Sequence, residues 1–411
     1  MGNTIYLACG IFVLIIALSC INDTSKKNTS TDSSFAKGIY ASDVAFLKKH
    51  TKNLIELNDK EGNSKVCLSA DFQGRVMTST ATGDSGKSFG WLNYNLIAAS
   101  EKRKQFNPVG GEERFWMGPE GGQFSIYFRA GDSFNIKNWQ VPAFIDTTAY
   151  NITGTDPSQV IFSKKATFIN YSGTTFNINI DRKINLIDKN EASEKLNATI
   201  PGNIHFVGYK TENRITNTGD SGWTKEKGLL SVWLLGMFTP TPRTIVIIPF
   251  HPQSNSRSLI TDNYFGSIPS ERLLVKDSFL FFVCDGKYRS KIGLSPSIAK
   301  PLAASYDFQE NVLTLIIPEI DKKAPYVNSK WEIQDQPYHG DVINSYNDGP
   351  LADGSQLGPF YEIESSSPAL ALKKNETGVY TQITCHLQGD YDTLKKLALQ
   401  ILGINLDEIK K

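Results

Sequence analysis

From residue 65 almost to the C-terminus, apolar and polar residues alternate in short runs separated by Gly, Pro, Asn and Asp. The plainest run is TFNINIDRKINLI, in which Phe176, Ile178 and Ile180 alternate with Asn177, Asn179 and Asp181. Residues two apart on a strand share a face, so such a run offers an apolar face to a core and an amide-rich face to water. The pattern predicts hairpins at Lys65–Ala70 with Arg75–Thr80 and at Val160–Asn170 with Thr174–Leu186. It predicts further strands at Trp91–Ile97, Gln123–Phe128, Ile204–Tyr209, Glu212–Asn217, Leu229–Leu235, Thr244–Phe250, Phe279–Cys284, Ala303–Asp307, Val312–Ile317, Val342–Tyr346, Phe360–Ser365 and Val379–His386. Helical spacing is confined to the two ends of the folded part. Ala41–Leu57 reads as a short amphipathic helix with Ser42 as its N-cap, and Tyr391–Ile409 as a helix capping one end of the β structure. Many strands without interleaved long helices exclude a doubly wound α/β fold. The absence of a repeat of about 40 residues argues against a propeller. The expected class is therefore all-β, a large antiparallel sandwich forming a single domain over residues 39–411.

The first forty residues read differently. Ile5–Leu18 is almost wholly apolar, the length of a signal-peptide core and short for a membrane span. Ala17-Leu18-Ser19-Cys20 follows and resembles a bacterial lipobox, which implies cleavage after residue 19, lipidation of Cys20 and a membrane anchor there, with an uncleaved anchor as the alternative. INDTSKKNTSTDSS then has the composition of a polar tether, so residues 20–38 are expected to hold the domain off the membrane. The expected location is the bacterial cell envelope, lipid-anchored, at the outer membrane or facing the periplasm. A formal net charge of +1 with 21% charged residues provides no field to attract nucleic acid. Aromatic residues at 11% suit both strands and stacking on sugars. Cys67, Cys284 and Cys385 sit inside apolar alternation and read as buried free thiols, with no zinc spacing and no disulfide framework.

Chemistry concentrates in two stretches. Gln336–Pro368 carries His339 and Asp341, then Tyr361, Glu362, Ile363 and Glu364. If Phe360–Ser365 is a strand, Glu362 and Glu364 point the same way, and two carboxylates on one face repel unless solvated or used. Asn107–Phe124 (NPVGGEERFWMGPEGGQF) places Glu112, Arg114, Trp116 and Glu120 among five glycines. Carboxylates accepting from hydroxyls beside an aromatic ring make a composition common in sugar sites. His251, just past an apolar strand, is a rim candidate, while His205, His386 and His50 read as structural or solvated. Nothing matches a serine elbow, a zinc motif, a phosphate loop or a dinucleotide fingerprint, so neither a metal nor a cofactor is expected.

The segments GGEERFWMGPEGG and FYEIESSSPALALKKNET resemble stretches of the galactose mutarotase (aldose 1-epimerase) superfamily, and with QPYHGDVINSYNDGP suggest a family of secreted bacterial lipoproteins within it. The resemblance implies a β-supersandwich. It also implies a glutamate near the C-terminus that abstracts the anomeric hydroxyl proton, which carries over to Glu364 with Glu362 beside it. The superfamily's Asn-His and His-Gly-Gly segments are absent, so the acid partner is sought by chemistry, with His339 first and His251 second. Two functional readings follow. In one, Glu364 is the base and His339 the acid of a carbohydrate-active enzyme, with Glu362 adjoining. Trp116, Glu120, Glu112, Arg114, Asp341, Tyr361 and His251 then hold the ligand. In the other, the same groove binds glycan for surface uptake without catalysis. A purely structural role predicts instead that these side chains are buried or scattered.

Overall fold

The computed structural model describes residues 35–99 and 102–410; the expected signal segment, Cys20 and nearly all of the expected tether lie outside them. Two large antiparallel layers build the protein. The first is ten-stranded. From edge to edge it runs Leu273–Lys276, Phe279–Val283, Thr244–Pro249, Ala303–Asp307, Val312–Pro318, Thr377–Gln388, His205–Asn217, Thr175–Ile187, Gln159–Ile169 and Asn151–Asp156. The second is six-stranded: Ile260–Thr261, Ser290–Leu294, Ile343–Asn347, Tyr361–Ser366, Ser231–Phe238 and Arg114–Gly118. A bridge between Val76 and Glu113 extends it into a three-stranded sheet of Leu54–Asn58, Lys65–Ser69 and Arg75–Thr80.

Alternation sorts each strand between core and surface. On Tyr361–Ser366, Tyr361 and Ile363 enter the core with Phe238, Val246, Ile248, Ile292 and Ile316. Glu362 and Glu364 therefore leave the opposite face, away from the ten-stranded sheet. On Thr175–Ile187 the inward set is Phe176, Ile178, Ile180, Arg182 and Ile184. Arg182 is fully buried there and is neutralised by Glu113 at 3.0 Å, with Asn213 accepting from its other terminal nitrogen. On the far side of the ten-stranded sheet the helix Tyr391–Leu402 lays Leu394, Leu397, Ala398 and Leu402 over Ile383, Cys385 and Leu387. Asp390 caps its N-terminus by accepting from Thr393 N–H, and Gly403 closes its C-terminus in the left-handed region. Cys67, Cys284 and Cys385 are buried free thiols, as their apolar settings predict.

Several local expectations differ from what forms. The first helix is Tyr40–His50, with Ile39 rather than Ser42 at its N-cap, and gives way to the strand Leu54–Asn58. Asp71 causes the break: its carboxylate accepts from the backbone N–H groups of Lys52 and Asn53, drawing the chain out of the helix. The expected strand at Trp91–Ile97 is partly the short helix Tyr94–Ala98, because Asn93 accepts from Leu96 N–H and caps it. Gln123–Phe128 is not a strand, whereas Arg114–Gly118, inside the glycine-rich loop, is.

Candidate functional site

The register of the six-stranded sheet defines what stands beside the paired glutamates. Arg114, Leu235, Glu364, Asn344, Gly293 and Thr261 form one row across it. The next row holds Met237, Glu362, Tyr346 and Lys291. On the other side of Glu364, Trp116 and Trp233 pair beside Ser366. Two diagonal ion pairs join the rows. Arg114 Nη2 is 3.2 Å from Glu362 Oε1, and Lys291 Nζ is 2.9 Å from Glu364 Oε2. Trp233 Nε1 donates to that same oxygen at 2.9 Å.

The second oxygen of Glu364, Oε1, is buried and has no hydrogen-bond partner among the described residues. The same holds for Arg114 Nε and Nη1, Trp116 Nε1 and Ser231 Oγ on this face. The Arg114 guanidinium rests on the Trp116 ring at 4.1 Å, which offsets part of its lost hydration. An unpartnered buried polar group costs about 1–3 kcal/mol. Several on one face, donors and an acceptor together, leave room in the hydrogen bonding of this face for a further polar partner, whether water or a ligand.

Loops supply the remaining groups. Gly293 has no side chain, and the Asp341 carboxylate occupies its space: a Cβ there would meet Oδ2 at 2.1 Å. Tyr264 donates to Asp341 at 2.6 Å, and Asn344 donates to Tyr264 at 3.2 Å. Glu120 follows the Arg114–Gly118 strand, its N–H donating to Ser329 Oγ at 3.1 Å. Reciprocal bonds between Gln123 and Gln334 tie its loop to the segment carrying Trp331.

These settings separate the acids. Burial pushes Glu120 up to about 7; Lys291 opposes the rise, Glu364 adds to it, and the indoles of Trp331 and Trp139 favour the charged form. Burial also raises Glu362, against the pull of Arg114 and with a push from Glu364. Burial disfavours the Lys291 ammonium, but the charge and hydrogen bond of Glu364, together with the charges of Glu120 and Glu362, outweigh this and raise its pKa. The arrangement combines a carboxyl that holds its proton near neutrality with a carboxylate fixed against a cation.

Of the residues singled out in the sequence, Glu364, Glu362, Arg114, Trp116, Glu120 and Asp341 come together here. Four do not. Glu112 lies in the interior, its Oε1 2.8 Å from His386 Nε2 and accepting from Ser79. Tyr361 points to the opposite face and shares a hydrogen bond with Ser305. His251 is exposed, its pKa lowered by burial and by the nearby Lys322 and Lys300. His339 is exposed and lines a surface depression with Asn328, Lys330, Glu332 and Gln334 that includes neither glutamate. Sequence reading missed Lys291, Trp233 and Tyr264. Lys291 had a faint signal, a lone cation in the short apolar strand Ser290–Leu294.

Residues 38–411 match DUF6786, described as a family of unknown function. The chain belongs to that family. No curated protein matches it in sequence. Among solved structures it is similar to a galactose mutarotase-like protein from Lactobacillus casei, with 10% identity over 82% of this chain and 100% of that one and a TM-score of 0.48. The Slr1438 protein of Synechocystis gives 12% identity over 82% and 96% of the two chains, with a TM-score of 0.47. A galactose mutarotase related enzyme from Lactobacillus acidophilus gives 9% over 82% and 98%, with a TM-score of 0.44.

Proposed function

We propose that the face holding Glu364, Glu362, Arg114, Lys291 and Trp233 binds a carbohydrate and moves protons at its anomeric centre. The observation that carries the reading is Glu364 itself. One of its oxygens is held by Lys291 and Trp233, and the other is buried without a partner on a face of unpartnered donors. A sugar hydroxyl supplies both halves of what these groups lack, a donor for Glu364 Oε1 and acceptors for Arg114 and Trp116.

In this reading Glu364 Oε1 takes the proton of the anomeric hydroxyl. The electron pair of that O–H bond forms the carbonyl as the C1–ring-oxygen bond breaks, and the ring oxygen receives a proton from Glu120. Reclosure on the other face of C1 returns both protons. Glu120, not His339, is the acid, since it shares the Lys291 and Glu364 environment and keeps its proton near neutrality. With the lipid anchor proposed at Cys20, the site works at the cell envelope.

Glu364→Gln tests the assignment by NMR exchange between sugar anomers. Loss of about a hundredfold or more in rate, with binding retained, is expected for a general base; unchanged turnover would remove Glu364 from the chemistry. One feature favours a binding-only alternative: Glu364 is already ion-paired with Lys291 at 2.9 Å, a contact that binding alone can use. That alternative predicts no turnover by the native protein and lost affinity in Glu364→Gln.

A further inference from the structure

One end of the face carries an aromatic ring that the anomeric chemistry does not use. Arg289 lies two residues before Lys291, beyond the Tyr346 row and on the side away from Trp116 and Trp233. Its Nε donates to Tyr346 Oη at 3.2 Å, and Tyr346 in turn donates to Asp348 at 2.6 Å. The guanidinium so fixed lies 4.0 Å from the centre of the Phe265 ring. Tyr346 meets the same ring edge-on at 5.9 Å. Phe265 nevertheless remains 47% exposed. A large apolar side chain supported by a cation and a second ring, yet left open to solvent, has the form of a stacking surface.

Its distance from the reaction centre sets what it could stack on. Glu364 stands two residues from the Tyr346 row, and the Arg289 row is two further. At 3.3–3.4 Å per residue this places the Arg289 backbone about 13 Å from Glu364 along the strands. The Arg289 end of the face is thus farther from Glu364 than one sugar ring spans, and it is to this end that Phe265 is held.

We infer that Phe265, backed by Arg289, is a platform for a second sugar ring, and that the ligand is an oligosaccharide of at least two units. The inference rests on the carbohydrate reading above and narrows its substrate class. Calorimetric titration of the full chain with matched series tests it: glucose, maltose, maltotriose and cellobiose; galactose and lactose; xylose and xylobiose. In at least one series the longer member is expected to bind about tenfold more tightly than its monosaccharide. Phe265→Ala should erase most of that gain, while Ile169→Ala, at an exposed position on a strand of the other sheet, keeps it. Circular dichroism confirms that each variant is folded. Monosaccharides binding as tightly as longer sugars, or a gain that survives Phe265→Ala, overturns the platform alone. Binding of none of these sugars overturns the carbohydrate reading and the platform together.

Discussion

Glu120 is the side chain whose titration reports most directly on this site. As an acid it works only while protonated, so turnover should fall as pH rises through about 7. Glu120→Gln should be slow and lack that alkaline limb, which a pH–rate profile reads directly. Stability follows the same group. Its folded pKa lies above the ordinary 4.5, so the native state binds more protons between the two values, and stability should fall as pH rises across that window. Urea midpoints at pH 5 and 7.5 should differ less in Glu120→Gln than in the native protein. In the interior, Glu113 is held by Arg182, Thr211 and Gln382. Glu113→Ala strands a buried guanidinium and should cost about 3–5 kcal/mol in urea unfolding. Arg182 was legible as an inward residue, since it falls on the apolar phase of its strand; its partner was not, because Glu113 lies 69 positions away.

At the scale of elements, alternation revealed the long strands because a half-buried strand imposes period two on its own sequence. It gave no warning of Tyr94–Ala98 or of the strand Leu54–Asn58, where the side chains of Asn93 and Asp71 redirect the backbone. Nor did it find Arg114–Gly118, a strand buried on both faces that carries no alternation to read. The loop beyond that strand is fitted closely. A Cβ at Gly121 would lie 2.2 Å from the carbonyl oxygen of Lys330. Gly121→Ala must therefore separate the Glu120 loop from the Trp331 segment, and should cost about 1–3 kcal/mol and lower turnover together. The C-terminal helix offers a control away from the site. Leu397→Ala should lose about 2–5 kcal/mol from the core beneath that helix, with kinetics of the surviving folded protein unaltered.

For the molecule as a whole, the site is a product of sheet order. Arg114, Lys291 and Glu364 are far apart in the chain and meet because their strands lie in one six-stranded sheet with its registers aligned. Paired glutamates at spacing two could be read from sequence because they share a strand. Trp233 could not, since nothing local distinguishes it from other strand residues, and Lys291 stood out only faintly, as a lone cation in a short apolar strand. His339 attracted notice for its chemistry, but the path of its loop leaves it on the surface. On the proposed function the ligand sits on this sheet face. A crystal structure of the protein with a disaccharide from the binding series tests it most directly. The expected result is a sugar hydroxyl within hydrogen-bond distance of Glu364 Oε1, with Arg114 and Trp116 donating to the same ligand. A sugar seated instead in the depression around His339, or in the one formed by Asn93, Lys102, Arg103 and Gln356, would contradict the account.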